Sequence, residues 1–329
     1  MKRVLVTGAT GFVGANLAHR LIRDGHEVHL IVRPSSSSFR LPHLQFGAQV
    51  HFVDLCNADD VMQVVASVRP DWIFHLAVYG AYTWQNDPLA MVQANVVGTA
   101  NLVEACLKAG FEGFVNTGSS SEYGLKSHAP KEGEDCIPNS YYSVTKMAAT
   151  QYCQYAAESH QAHMPTLRLY SVYGPWEEPN RFIPSLIVHA LDGKLPPLVA
   201  PDTARDFIYV DDVVEAYLNA VAKQTPEYGA IYNIGSSKQT TIRQAVDTAR
   251  ELFGVSMEPD WGSMASHHWD TSTWVSDTRK VESTLGWMPR LSLADGFKAT
   301  AAWLQQDKKI LAHYRERVFA SAQLNALAK

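Results

Sequence analysis

Apolar and polar positions along the first half of the chain fall into two alternating kinds of block. Short runs rich in β-branched residues, at 4–6, 28–32, 50–53, 72–76, 113–116 and 166–169, read as strands. Between them lie stretches with helical spacing at 16–23, 58–68, 89–109 and 141–160. In the first of these Leu17, Ala18, Leu21 and Ile22 share one face. Alternation of the two kinds predicts an α/β fold with a parallel sheet covered by helices on both faces. The serine run 35–38 reads as a loop, and the chain holds no internal repeat.

The first strand runs directly into three glycines, Gly8, Gly11 and Gly14, and then into the helix 16–23. The spacing is G-x-x-G-x-x-G rather than the commonest G-x-G-x-x-G. Its position between strand and helix makes it a nucleotide site: missing side chains let a pyrophosphate approach the main chain, and the helix N-terminus supplies amides and partial positive charge.

Composition narrows the picture. With 329 residues, 46% of them hydrophobic, the chain can build one large α/β domain or a domain with a smaller lobe. We expect a nucleotide-binding part over 1–169 and a mainly substrate-binding part over 170–329, with about 206–235 returning to the first. Net charge is −5 and the sequence pI is near 6.2, so nucleic acid is not an expected partner. Cys56, Cys106, Cys136 and Cys153 are scattered, which suggests neither a disulfide framework nor a metal site. Met1-Lys2-Arg3 before an apolar run mimics a leader, but Thr7 and the glycines break that run. No apolar stretch reaches 18 residues, so no membrane span and a cytoplasmic location are expected.

Two stretches carry candidate chemistry. One is 114–124, FVNTGSSSEYG; the other is Tyr142-Ser-Val-Thr-Lys146. A four-residue spacing puts phenol and ammonium on one helix face. A phenol has a pKa near 10, and lowering it by about three units takes roughly 4 kcal/mol. That spacing selects Tyr142 over Tyr141, which reads as packing or substrate wall. The second strand ends in Val32 and Arg33, without the acid that NAD sites commonly use for the ribose hydroxyls. A guanidinium there suits a 2′-phosphate by charge and fork geometry. Ser35 and Ser36 add hydroxyl donors. His75 reads as a packed core histidine.

With these motifs the sequence resembles the extended short-chain dehydrogenase/reductase family: nucleotide-sugar epimerases, dehydratases and ketoreductases. The likeness runs from about residue 3 to 306. It implies a Rossmann-type doubly wound sheet with a smaller C-terminal substrate lobe. It implies Ser119 as the third catalytic member beside Tyr142 and Lys146, with Ser120 and Ser121 as adjacent alternatives or substrate contacts. On the glycine turn it places Thr10, Phe12 and Val13 beside the dinucleotide together with Gly8, Gly11 and Gly14. Further along, it places there Asp54 and Leu55, Leu76 and Ala77, Asn95, Thr117, and again Tyr142 and Lys146. Asp54 would meet the adenine amino group, or else cap the helix after it. Asn95 would support the site from its helix. The run EVHLIVRPSSSS is similar to that of NADP-dependent GDP-mannose dehydratases, so NADP(H) is the expected cofactor ahead of NAD(H).

The second half matches further family landmarks. Arg168 to Pro175 resembles R-x-x-N-V-Y-G-P, with Ser171 where a substrate-binding Asn is usual. Arg205 opens RDFIYVDD, where the family's arginine meets the donor's diphosphate; pairing with Asp202 or Asp206 is the alternative. Asp211 and Asp212 are expected to cap the following helix. Landmarks also stand at Tyr232–Gly235 and Leu285–Pro289. His267 or His268 stands near a usual arginine. The sugar 4,6-dehydratases carry a Glu where this chain has Ser121, with Glu122 one place later. The expected reaction is therefore NADPH-dependent reduction of a nucleotide-linked 4-keto-6-deoxy sugar, with epimerisation second and dehydration third. A dinucleotide-binding protein without turnover is the reading outside catalysis. The resemblance implies a nucleotide-sugar as partner, and a homodimer, because the two long helices stand where the family's usual dimer surface is.

Overall fold

The computed structural model describes residues 1–36, 38–265 and 271–327, with side chains as far as 320. His267 and His268 lie outside the described residues. The strands are β1 (Arg3–Thr7), β2 (Glu27–Val32), β3 (Ala48–Phe52), β4 (Trp72–His75), β5 (Gly113–Ser119), β6 (Thr166–Leu169), β7 (Ser171–Tyr173), β8 (Ala204–Arg205), β9 (Phe207–Tyr209), β10 (Ile231–Ile234) and β11 (Thr240–Thr241). Seven of these make one sheet in the order β10-β6-β5-β4-β1-β2-β3. All its pairings are parallel. This is the Rossmann-like α/β fold. The chain runs outward in one direction through β1, β2 and β3 and in the other from β4, so the order reverses between β1 and β4. Such a switch point opens a crevice at the carboxyl ends of the strands.

The central strands β1, β2, β4 and β5 are buried on both faces, successive apolar residues pointing to opposite sides, while β3 at the edge is partly exposed. Val4, Val6, Leu30 and Phe74 join Leu17 and Leu21 of the helix Phe12–Arg23 and Tyr217 of the helix Val210–Ala222. Leu5, Ile31, Ile73 and Phe114 join Val61, Val65, Leu102 and Val103 on the opposite face. Period-2 strands sandwiched by helices require this near-continuous apolarity. A separate core of Ile183, Leu186, Val246, Phe297, Leu304 and Tyr314 lies under the C-terminal helices. The ribbons β7–β9 and β8–β11 stand apart from the main sheet.

Several local outcomes differ from the sequence expectation, and each has a physical cause. The first helix begins at Phe12, four residues early, because Gly11 takes the N-cap place with no side chain to mark it. The long helix 89–109 is three joined pieces, Pro88–Val92, a π turn at Gln93–Val97, and Gly98–Ala109. The helix Ala58–Val68 is capped by Asn57, which accepts from Asp60 N, and not by Asp54. Asp211 and Asp212 sit inside the first turn of Val210–Ala222, not at its cap. The Asp212 carboxylate accepts instead from Arg290 N (3.0 Å) and Leu291 N (3.1 Å).

Candidate active site

The turn after β1 is shaped by absent atoms. Gly8 has φ +75°, and a Cβ there would press on the Leu76 carbonyl, 2.5 Å from Ala77 N. A Cβ on Gly14 would strike the Gly8 carbonyl. Gly11 N donates to Gly8 O (2.9 Å), and no side chain caps the helix that follows. The first-turn amides of Phe12, Val13 and Gly14 are thus left for an anion. Thr10 is held by its carbonyl, which accepts from Ser38 Oγ (2.9 Å) and from Arg40 (3.2 Å).

The exits of β2, β3 and β4 flank this turn. Val32 is buried, Arg33 and Ser35 are exposed, and Ser36 donates its N–H to Arg33 O (2.8 Å). Arg33 is near enough to the β3 exit for its charge to act on the Cys56 thiol, which burial pushes up to about 11. The Asp54 carboxylate accepts from Cys56 N (2.9 Å), and Leu55 is 9% exposed. At the β4 exit Leu76 N donates to Thr7 O, and Ala77 N donates to Thr7 Oγ1. His75 lies between Thr7 Oγ1 (2.7 Å) and Thr99 Oγ1 (2.8 Å), and burial drives its pKa down to about 3. A permanently neutral imidazole in this position is a core residue.

Asn95, inside the π turn, ties two parts of the site together. Its Oδ1 accepts from Tyr79 N (2.8 Å), and its Nδ2 donates to Tyr79 O (2.8 Å) and Thr145 Oγ1 (3.0 Å). The β4 exit is thereby anchored to the helix Tyr141–His160. π turns recur at functional sites because one extra residue re-aims a side chain.

Ser119, Tyr142, Lys146 and Thr117 are brought together at the carboxyl end of β5. Ser140 caps the helix Tyr141–His160, its Oγ accepting from Ser143 N, and this sets the phase of the helix. Tyr141 turns outward, 69% exposed, while the Tyr142 phenol lies close enough to the Ser119 side chain to be influenced by it. Lys146 is buried and donates Nζ to Thr117 O (2.6 Å); Thr117 Oγ1 and Tyr217 OH are 2.6 Å apart. Burial raises the Tyr142 phenol above its ordinary range, with the neighbouring Ser119 hydroxyl acting the other way. Burial also lowers the Lys146 ammonium, opposed by the nearby Glu122 charge. Tyr142 therefore keeps its proton at neutral pH.

The serine loop is a 3-10 turn, Ser120–Tyr123, closed by a capping box. Ser121 N donates to Ser119 Oγ, and Ser119 N donates to Glu122 Oε1 (2.8 Å). Glu122 has no exposed surface. Its Oε1 also accepts from Thr150 (3.0 Å), and its Oε2 accepts from Arg168 Nε (2.8 Å). Arg168 lies over the Tyr123 ring and donates further to Glu132 O (3.2 Å). This acid serves the interior of the protein.

The residues expected on the substrate side are less tightly grouped. Ser171 begins β7 and donates its N–H to Asp206 O (3.0 Å). Arg205 stands on the β8–β11 ribbon, half-buried, with Nη1 on Ala204 O (2.7 Å). The Asp206 carboxylate is taken up by Ser236, Ser237 and Ser276. Two further groups reach the site without any motif to announce them: Tyr217, on Thr117, and Arg181, whose charge acts on the Tyr142 phenol. Neither residue type nor spacing marked them. Among the described residues no cluster of His, Cys, Asp and Glu could hold a metal ion, and no helix is long and apolar enough to cross a membrane.

A family model described as the NAD dependent epimerase/dehydratase family matches residues 4–235. A trifunctional UDP-glucose 4,6-dehydratase/UDP-4-keto-6-deoxy-D-glucose 3,5-epimerase/UDP-4-keto-L-rhamnose-reductase of Arabidopsis thaliana is 28% identical, over 93% of this chain and 47% of its own length. The chain thus spans about half the length of the first curated relatives it matches. A UDP-glucose 4-epimerase of Mycolicibacterium smegmatis is 29% identical over 92% of this chain and 98% of its own. Among solved structures, a UDP-glucuronic acid 4-epimerase from Bacillus cereus, in complex with UDP-glucuronic acid and NAD, superposes with a TM-score of 0.81. It is 28% identical, covering 92% of this chain and 99% of that one.

Proposed function

This chain belongs to the NAD dependent epimerase/dehydratase family, an enzyme family of nucleotide-sugar chemistry, and from that premise we propose that it reduces a nucleotide-linked 4-keto-6-deoxy sugar with NADPH. The fit to a dinucleotide rests on the turn after β1, whose glycines leave backbone where side chains would stand and whose helix start has no cap of its own. Gly8, Gly11 and Gly14 with the first-turn amides would hold the diphosphate. Arg33, Ser35 and Ser36 would hold a 2′-phosphate, Asp54 the adenine, and Lys146 the nicotinamide ribose. When bound, the dinucleotide supplies the hydride.

The protein's own part is proton delivery. Tyr142 gives its proton to the carbonyl oxygen. Ser119 donates a hydrogen bond to the same oxygen and holds it in line with the phenol. Lys146, fixed on Thr117 O, places a positive charge beside the phenolate that remains. Arg205 would bind the diphosphate of the sugar donor as a bidentate clamp. The observation that ranks this reading above dehydration is the Glu122–Arg168 pair, and the exposed Arg33 after Val32, which suits NADPH, supports net reduction. Elimination across C5 and C6 needs a further acid/base group, and the acid in this loop is buried and bonded inward.

Epimerisation, a closed hydride cycle on the same three residues, is the second reading, favoured by the full-length likeness to 4-epimerases. Exposed Leu89, Val92, Val144 and Tyr155 on the two long helices support a homodimer, to be checked by sedimentation. The functional test is stoichiometric. Several nucleotide-linked 4-keto-6-deoxy sugars are supplied with NADPH and its oxidation is followed. One of them should consume NADPH, and Tyr142→Phe should slow that by about 10²–10⁴. If none does, while a nucleotide hexose interconverts with its epimer without net change in cofactor, the second reading replaces the first.

A further inference from the structure

Arg40 belongs to none of the motifs above, yet it is 3% exposed and its side chain is bonded to two separate pieces of the crevice, the glycine turn and the segment 174–181. Its Nη1 donates to Thr10 O (3.2 Å), inside the glycine turn. Its Nε donates to Trp176 O (2.6 Å), and Nη1 and Nη2 both reach Glu178 Oε1 (3.2 Å). Trp176 is one of four non-glycine residues at positive φ among the described residues, at +68°. Such a conformation persists only where the surroundings over-determine it. Here Arg40 fixes its carbonyl, while His19 (5.4 Å) and Trp303 (5.1 Å) flank its ring. The chain then continues toward the reacting centre: Arg181 N donates to Glu178 O (3.0 Å), and its guanidinium faces the Tyr82 ring at 5.9 Å. Arg181 also opens the helix Phe182–Leu191.

We infer that Arg40 is a positioning residue that couples dinucleotide binding at the glycine turn to the order of the segment 174–181. This rests on the reading that the glycine turn holds a dinucleotide. Phosphates bound on the first-turn amides fix the peptide of Thr10. Arg40, bonded to that carbonyl, is fixed with it, and its other donors then fix Trp176 and Glu178. A buried cation that gives up a partner leaves donors unpaired away from water, so the glycine turn and the segment 174–181 order together. The coupling is reciprocal: whatever orders 174–181 on the substrate side also tightens the dinucleotide. Asn16, whose Nδ2 donates to Pro175 O (2.8 Å), is a second tie from the glycine helix, so loss of Arg40 weakens the coupling without making the loop random.

The test reads backbone exchange and needs no substrate. Amide hydrogen exchange of the full chain is measured in segments 8–14 and 174–181, with saturating NADPH and in parallel with NADH. In the wild type both segments gain protection together, with exchange in 174–181 slowed roughly fivefold or more. In Arg40→Met, segment 8–14 still gains protection and 174–181 gains much less. Glu178→Gln removes one anchor while keeping Arg40, and gives an intermediate loss; it carries the test if Arg40→Met does not fold. The inference is overturned if 8–14 is protected and 174–181 is not in the wild type, or if both variants couple as the wild type does. If only NADH protects 8–14, the NADPH reading falls and the coupling is judged with NADH. If neither does, both fall.

Discussion

The turns that leave β1 and β5 lie on the same edge of the sheet with one strand between them, and they are built by opposite means. After β1 the chain removes side chains, so that backbone meets backbone at Gly8 and Leu76 and a helix start is left uncapped. After β5 the chain fills the turn with polar side chains and ties its acid down within the protein: Ser119 N, Thr150 and Arg168 all donate to Glu122, and Ser121 N donates to Ser119 Oγ. The first turn is shaped to be completed by something else. The second holds a serine and a tyrosine rigidly in place. A site that must both admit a dinucleotide and aim a proton needs one of each, because preorganised donors lose nothing to rearrangement at the moment of reaction.

The largest test of that contrast is on the tied acid. Glu122→Ala should cost about 3–5 kcal/mol of stability, because it strands a buried guanidinium. The double variant Glu122→Ala/Arg168→Met should regain much of this in chemical unfolding, since removing both charges leaves none unpaired. A loss below about 1 kcal/mol in the single variant would mean that the β5 turn is not held by this pair. Next in size is the open turn. Gly8→Ala forces a Cβ against the Leu76–Ala77 peptide at φ +75°, which should cost about 2–4 kcal/mol. Dinucleotide affinity, read by titration calorimetry, should fall with it.

These two turns also show what a sequence can and cannot reveal. A glycine requirement is a backbone requirement, and backbone requirements are written directly into residue type; that is why the strand–glycine–helix unit and the parallel alternating fold were legible. The direction of Glu122 was not. One residue of phase in a 3-10 turn decides whether an acid faces the crevice or Arg168, and neighbouring serines give no hint of that phase. The π turn around Asn95 was invisible for a related reason: the apolar spacing of 89–109 tolerates one extra residue without breaking its stripe. Glycine at the first helix cap erased the marker that Asn57 provides for a later one. Arg40 and Arg181 carried no pattern at all, since their partners come from loops distant in sequence.

A smaller effect should come from the rim of the open turn. Arg33 is exposed after a buried Val32, so its contribution to a 2′-phosphate is a charge-assisted bond of about 1.5–3 kcal/mol. Arg33→Ala should lower the ratio of NADPH to NADH affinity by about tenfold or somewhat more. The ratio, not either affinity alone, is the quantity to measure, because a general loosening of the turn would weaken both. An unchanged ratio removes the charge argument for NADP(H).

The loop 174–181 breaks the contrast, because it is neither emptied nor fully answered. Glu177 is 6% exposed, and its Oε2 has no hydrogen-bond partner among the described residues. Its other oxygen lies 3.9 Å from Arg181 Nε. Burial raises this carboxyl from 4.5 to about 8, despite the pull of Arg181 and Arg40. The folded protein therefore holds a proton there that the unfolded chain has released. Between about pH 4.5 and pH 8 the native state binds the extra proton, so stability falls as pH rises through that window. The expected slope from this one group is about 1.4 kcal/mol per pH unit inside the window, levelling off above it. Glu177→Gln supplies a neutral side chain of the same shape and should remove that slope. Denaturant unfolding at pH 6 and pH 7 gives the comparison: wild type should lose stability over that unit relative to the variant, and the variant should be the more stable at pH 8.5. If both proteins show the same dependence, Glu177 is already ionised in the folded state, and this loop is satisfied in the manner of the β5 turn.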